Sequence, residues 1–485
     1  MTRAARTAAV IGSGPNGLAA AVTLARAGIS VTVFDAADTI GGGTRTAESV
    51  MPGVVHDTCS AIHPMAFASA FFREFRLAEK VEFVVPEASY AHPLEGREAA
   101  IAYRDLDRTV AELGVDGAAY GRLMRPLVDR AGGVFDFALG GSMVRVPRDP
   151  IATVLTGLAA VRQGSPLWNL GFSDEAAPAL ISGVAAHSIG RMPALGTSAI
   201  GLVLAVAGHV GGWPVPVGGS AAISRALADD LLAHGGQIET GRRIRDIAEL
   251  GDYDVHVFDT SARALTEIAH SKLPGGYLRT LDRFRFGNAA AKVDLVLDGP
   301  IPWADARIAQ TPTVHLGGTR AEVAEAEGMV ARGRHPEHPY VLLAQPTEFD
   351  PGRNPAEFNA VWSYTHVPRG STVDVTERVL AQLERFAPGV RERVIGVKCT
   401  PAAELGEYNA NYVGGDISSG AVQLGQLLAR PVLSPEPWRT PGEGIYLASS
   451  AASPGPGVHG LGGWYAARSA LKHSFRIDPQ SVSLE

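Results

Sequence analysis

Gly12, Ser13, Gly14, Pro15, Asn16 and Gly17 have the types and spacing to cradle a diphosphate. Gly12 permits a tight turn, Gly14 lets backbone N–H groups approach the phosphate oxygens, and Gly17 lets a helix pack closely on a strand. The N-terminus of that helix adds partial positive charge. Asp35 follows about 20 residues later, the distance at which a carboxylate accepts hydrogen bonds from a ribose 2′-OH. Together these residues ask for an adenosine diphosphate without a 2′-phosphate. Lys292 also demands a reason. In the run Ala289, Ala290, Ala291, Lys292, Val293 an ammonium is costly unless it is paired or wet. It either serves a buried polar site or snorkels at a strand end.

The elements that must position these groups can be read around them. Residues 8–11 form a buried strand, an Ala/Leu-rich helix runs to residue 27, Gly28 stops it, and residues 30–34 form a second buried strand that Asp35 closes. A lone GxGxxG is a weak signal, but in this strand, turn, helix, strand and acid order it is specific. Further on, a helix is expected over 221–233, paired strands over 237–240 and 243–247, and a buried strand over 253–259. Residues 444–450 read as another strand and 464–471 as a helix. Residues 361–368 alternate with period two, so Trp362, Tyr364 and His366 share one face, as an aromatic wall or as core. Gly455, Gly457 and Gly460 spell GxGxxG again. No strand, acid and crossover follow them, so a second, nicotinamide-binding fold is not expected.

The bulk numbers set limits. A chain of 485 residues suggests two domains, and its net charge of −7 without a basic tract gives no reason to expect nucleic acid. Cys59 and Cys399 neither demand a disulfide nor space like a metal site. No signal peptide is read at the N-terminus, which points to a cytoplasmic address. The apolar stretch at 200–206 falls short of the ~20 residues that cross a bilayer. Residues 67–75 and 151–172 are apolar enough to lie on a membrane, line a tunnel, or form core or lid helices.

Two further stretches carry a family resemblance. Ile40, Gly41, Gly42, Gly43, Thr44, Arg45 and Thr46 follow the ribose acid, and Pro454, Gly455, Pro456, Gly457, Val458, His459, Gly460, Leu461, Gly462 and Gly463 lead into the last helix. With these the chain resembles the flavoprotein amine oxidase and phytoene desaturase superfamily, whose FAD domain is of the glutathione-reductase type. His56 to Ser60, residues 361–368, residues 384–389 and the 455–463 loop are most similar to the phytoene desaturase-like branch. Two departures stand out. Gly43 replaces an arginine found in many members, and Ser449 and Ser450 occupy the positions of a Gly-Asp pair.

The resemblance implies an α/β fold with a discontinuous Rossmann-type FAD domain (1–65, 210–285 and 436–485). A helical insertion or lid (66–209) and a strand-rich segment (286–435) would make an α+β substrate domain. FAD, bound non-covalently, would lie on Gly12, Gly14, Pro15, Asn16, Gly17, Asp35, Gly41, Gly42, Arg45, Thr46, Ile244, Ser450, Gly457, Val458, His459 and Gly460. Lys292 would hold a water at flavin N5, and His459 would be the acid/base. Asp57, Cys59 and His63 are expected close to the ring. The implied reaction is hydride transfer between a C–C bond of a lipophilic substrate and flavin N5. Amine oxidation and redox-neutral double-bond isomerisation are the alternatives, and a non-enzymatic flavin-holding protein is a third class. Oxygen, a quinone or a protein would take the electrons, and a lid over 130–175, rich in Leu155, Leu158, Val161, Leu167, Trp168 and Leu170, would cover a closed tunnel or touch a membrane.

Overall fold

A computed structural model describes residues 6–142 and 144–485. Apolar runs bounded by turn residues become the strands of a five-stranded parallel sheet. Its order is Ile445–Leu447, Val255–Phe258, Thr7–Ile11, Ser30–Phe34, Gln237–Glu239. Thr7–Ile11 is central, and its last four residues are buried on both faces, which is why it reads as a continuous apolar run rather than an alternating one. The helix Pro15–Arg26 leaves the end of this strand and packs on Leu461–Ala470.

The glycine turn works as its spacing predicts. Gly12 adopts φ +103°, a conformation that L side chains rarely adopt. A Cβ on Gly17 would lie 2.1 Å from the Gly12 carbonyl oxygen, so only glycine allows helix and strand to meet there.

A seven-stranded sheet forms the second layer. Its order is Val394–Thr400, Ala289–Leu297, Asn359–Val367, Val341–Ala344, Thr313–Leu316, Ala88–His92, Ala100–Tyr103. Neighbours are antiparallel except Thr313–Leu316 beside Ala88–His92. Period two divides its faces. Ala289, Ala291, Val293 and Leu295 pack into one apolar cluster, while Ala290, Leu342, Trp362 and Tyr364 pack into another that faces the parallel sheet's side of the molecule.

Two local expectations are corrected and one open reading is decided. Residues 66–209 are not helical throughout: Ala88–His92 and Ala100–Tyr103 are strands of the seven-stranded sheet. They are buried on both faces and carry no alternation that separates them from helix. Residues 243–246 form no strand, because Asp246 caps the 3₁₀ turn Ile247–Leu250 with a reciprocal capping box. Phe71, Phe72 and Phe75 are core side chains, not a membrane face. Among the described residues no helix is long and apolar enough to cross a membrane.

Candidate functional site

A continuous cavity of about 970 Å³ runs from the glycine turn to the seven-stranded sheet. Its dinucleotide end is lined by Gly12, Gly14, Pro15, Asn16, Asp35, Gly42, Arg45 and Ile244, and the stretch beyond by Ser450, Gly457 and Val458. The remaining expected contacts stand just behind this wall. Gly17 sets the helix–strand approach, and the Gly41 N–H donates to the Ser13 carbonyl at 3.0 Å. The Thr46 hydroxyl donates to Asp57 at 2.7 Å and accepts from the Ala221 N–H at 3.1 Å. Gly460 is the N-cap of the last helix, at φ +67°.

The carboxylate expected to meet a ribose is pre-set. One Asp35 oxygen accepts from the Ser13 N–H at 2.8 Å and from its hydroxyl at 2.5 Å, and the other accepts from the Ala37 N–H at 2.8 Å. Arg45, expected on phosphate, lies 3.6 Å from Asp35, donates to the Thr39 carbonyl at 2.9 and 3.1 Å, and stacks over the Tyr408 ring. Asp57, expected near the ring, is instead sealed between Thr46, the Ser220 N–H and Arg353, all at 2.7 Å. Cys59 and His63 do line the cavity.

Asp259 is a site residue that the sequence reading misses. It follows the strand Val255–Phe258, lines the cavity, and accepts from the Gly17 N–H at 2.9 Å. Burial pushes its carboxyl up to about 7, and the nearby Asp35 charge pushes the same way. An acid thus occupies the anion-favouring N-terminus of the first helix. A strand ending in Asp is visible in the sequence, but Gly17 lies 242 positions earlier.

Neither expected catalytic residue reaches the cavity wall. The Lys292 ammonium pairs with Asp294, buried, and sits 5.5 Å from the centroid of Trp362, whose ring does line the cavity. The lysine's charge is therefore met by a carboxylate two residues along the same strand face. His459 is fully buried, its Nδ1 accepts the Leu461 N–H at 3.1 Å, and burial lowers its pKa to about 4. It caps the last helix from behind Gly457 and Val458.

The far end of the cavity is apolar. Phe137, Leu139, Ile200, Val203, Leu204, Trp213, Leu342, Trp362 and Tyr364 line it, with His187 and Thr313 as polar members. Trp362 and Tyr364 thus form a wall, their rings edge to face at 5.3 Å. Within the expected lid, the inward residues come from the helix Ala131–Leu139 and from Thr156. Leu158, Val161, Leu167 and Leu170 point outward and are 55–63% exposed. An apolar stripe at helical spacing has the same pattern whether it faces in or out.

The NAD(P)-binding Rossmann-like domain family matches residues 10–75, the stretch that holds the glycine turn and the ribose acid. Pyridine nucleotide-disulfide oxidoreductase domain-containing protein 2 of Rattus norvegicus is 24% identical across 95% of this chain and 92% of its own length. Among solved structures, a triple mutant of putrescine oxidase superposes with a TM-score of 0.63 at 17% identity, covering 97% of this chain and 99% of that one. Cyclohexylamine oxidase from Brevibacterium oxydans gives 0.58 at 16% identity over 96% and 98%. The chain has the fold of these two oxidases: a Rossmann-type domain with a parallel sheet, joined to a mixed seven-stranded sheet.

Proposed function

We propose that this chain, an oxidoreductase by its fold and by the relatives it matches, holds FAD non-covalently. On this reading it moves a hydride between a C–C bond of a lipophilic substrate and the flavin. The residues present suit the cofactor. Asp35 would meet the ribose, and the Gly12 to Gly17 turn and Gly42 would meet the pyrophosphate. Ile244 would lie by the adenine, and Ser450, Gly457 and Val458 by the ring. Among the described residues the Asn16 side-chain oxygen, buried in this cradle, has no protein partner, as a group that meets a ligand would. The cofactor, when bound, supplies two-electron redox chemistry at its ring. The protein supplies alignment and a dry cavity. Lys292 and His459 act one layer behind the wall, one balancing Asp294 behind Trp362 and the other fixing the loop that would face the ring.

The observation that carries the substrate class is the composition of the far end. Its lining residues are aromatic, aliphatic or neutral, while the cavity's Arg, Asp and Glu residues cluster at the dinucleotide end. Each 100 Å² of hydrocarbon buried there contributes roughly 2.5 kcal/mol to binding. Amine oxidation is the second reading, favoured by the names of the two oxidases that share the fold. The outward apolar residues of 151–170, with Arg148 exposed beside them, form a face on which an anionic membrane could dock and deliver such a substrate.

Cis-parinaric acid tests the cavity assignment, because Trp213 and Trp362 on the wall would transfer excitation to a bound polyene. Saturable energy transfer that falls in Trp362→Phe is expected. No binding, or binding displaced equally by putrescine, would contradict a lipophilic site.

A further inference from the structure

Three histidines from three elements form a file that ends at the cavity. His92 lies on the strand Ala88–His92, His315 on Thr313–Leu316, and His187 just past the helix Ala176–Ala186. His92 and His315 are fully buried. His187 keeps accessible surface, and the surface it keeps faces the cavity.

Two hydrogen bonds, His92 to Gly318 and His187 to His315, stand at the ends of the file and orient its outer rings. His92 Nε2 is 2.7 Å from the Gly318 carbonyl oxygen, which can only accept, so this nitrogen carries the hydrogen. Burial holds the His92 pKa down to about 4, so the ring is neutral and its Nδ1 is a bare lone pair. That lone pair has no hydrogen-bond partner among the described residues. The Nδ1 atoms of His92 and His315 both flank Gly183, 2.4 and 2.9 Å from where a side chain there would begin. No hydrogen bond joins these two nitrogens among the described residues, but a hydrogen on His315 Nδ1 faces the His92 lone pair across Gly183, whereas a second lone pair there would repel it.

With its hydrogen on Nδ1, neutral His315 presents Nε2 as an acceptor. His187 Nε2 lies 2.8 Å from it and must donate. The last nitrogen, His187 Nδ1, is then left without a hydrogen, makes no hydrogen bond among the described residues, and belongs to a ring that lines the cavity.

We propose that His187 Nδ1, a bare lone pair when His315 carries its hydrogen on Nδ1, is the cavity's proton acceptor and the catalytic base of the reaction. This rests on the hydride-transfer reading. In a dehydrogenation one C–H bond of the substrate breaks with both electrons leaving as hydride to the flavin, the oxidant. The neighbouring C–H bond then breaks with its proton going to His187 Nδ1 and its electron pair becoming the new C=C bond. A C–H next to a developing cation is strongly acidic, so a weak base suffices provided it is neutral and placed. Burial and the neighbouring histidine rings pull His187 and His315 far toward the neutral form, His187 to about 3. Once His187 is protonated, its Nε2–H bond to His315 becomes charge-assisted.

The other titratable or charged groups around the file, among the described residues, are the Glu327–His366 pair, joined at 2.6 Å, Tyr340, whose hydroxyl donates to the Gly183 carbonyl, and Tyr90, whose ring centroid lies 5.2 Å from that of His315. Tyr364 stands on the cavity wall and Glu322 beside His92.

Nitrogen-15 NMR of the histidine-labelled holoprotein tests this, with His187→Gln identifying one ring among 14 histidines. The expected result is an unprotonated Nδ1 and a protonated Nε2 on His187 from about pH 5.5 to 8, the window above its lowered pKa, with 1-decanol shifting Nδ1 alone. A hydrogen on Nδ1, or no response to the alcohol, overturns the assignment whether or not the enzyme turns over. In His315→Leu both tautomers of His187 should be populated. In single-turnover flavin reduction by a polyene, His187→Gln should slow the step at least ~100-fold with little change in substrate affinity, within the range of general-base losses. Wild-type rates in that variant would overturn the base. Absence of reduction in the wild type would instead overturn hydride transfer, while the protonation pattern measured by NMR would still decide whether His187 Nδ1 is the acceptor.

Discussion

Replacing Asp259 with Asn should change how stability depends on pH. The Asp259 carboxyl ordinarily titrates near 3.8 and is pushed up to about 7 in the folded chain, chiefly by burial. A group whose folded pKa is raised binds its proton more tightly folded than unfolded, so its contribution is fully present below the unfolded pKa. That contribution is lost progressively as pH rises from 3.8 through about 7. At about 1.4 kcal/mol per pH unit, the total is on the order of 4 kcal/mol, with most of the loss falling above about pH 5. The Asn variant keeps an oxygen for the Gly17 N–H but does not ionise. The assay is urea unfolding of the FAD-free protein from about pH 5 to 8.5, with the two proteins compared at each pH to cancel other groups. The gap should swing toward the variant by about 2–4 kcal/mol across that range. A parallel pair of curves would refute the claim that this acid is buried against the helix N-terminus. The same logic predicts that FAD binding takes up a proton, since a diphosphate in that cradle would raise Asp259 further.

Other outcomes follow from named contacts. Purified protein should be yellow and should release intact FAD on acid precipitation; flavin retained in the pellet would contradict non-covalent binding. Lys292→Met should destabilise by about 3–5 kcal/mol by stranding the buried Asp294, and adding Asp294→Asn should recover most of it. If the single variant melts like the wild type, the ion pair is not where the structure puts it. Leu158→Asp with Leu167→Asp should abolish flotation with vesicles of anionic phospholipid while leaving flavin content unchanged, and equal flotation would remove the outward stripe as a membrane face.

The sequence displays the dinucleotide cradle well because its parts are local. Gly12, Gly14, Gly17 and Asp35 lie close together along the chain, and each answers to one backbone requirement. The substrate end is written differently. His187 and His315 are 128 positions apart and meet only because the helix ending at Ala186 lies against the seven-stranded sheet. Asp259 reaches Gly17 across 242 positions. Lys292 announces its burial in the sequence, since an ammonium among alanines needs a partner, and Asp294 stands two residues away on the same face. The outward turn of Leu158 and Leu167 is invisible to periodicity, which reports that a stripe exists but not what covers it. His459 sits in the expected loop, yet its ring turns back to cap a helix, a rotamer choice that spacing cannot reveal.

Anaerobic absorbance of the FAD-loaded protein tests the central claim most directly. On mixing with a hydrophobic polyene or its partly saturated precursor, the flavin band should bleach within a single turnover, while putrescine, cyclohexylamine, NADH and NADPH leave it oxidised. Bleaching by the amines and none by the hydrocarbon would contradict hydride transfer at a C–C bond and place the chain's chemistry with the amine oxidases whose fold it shares.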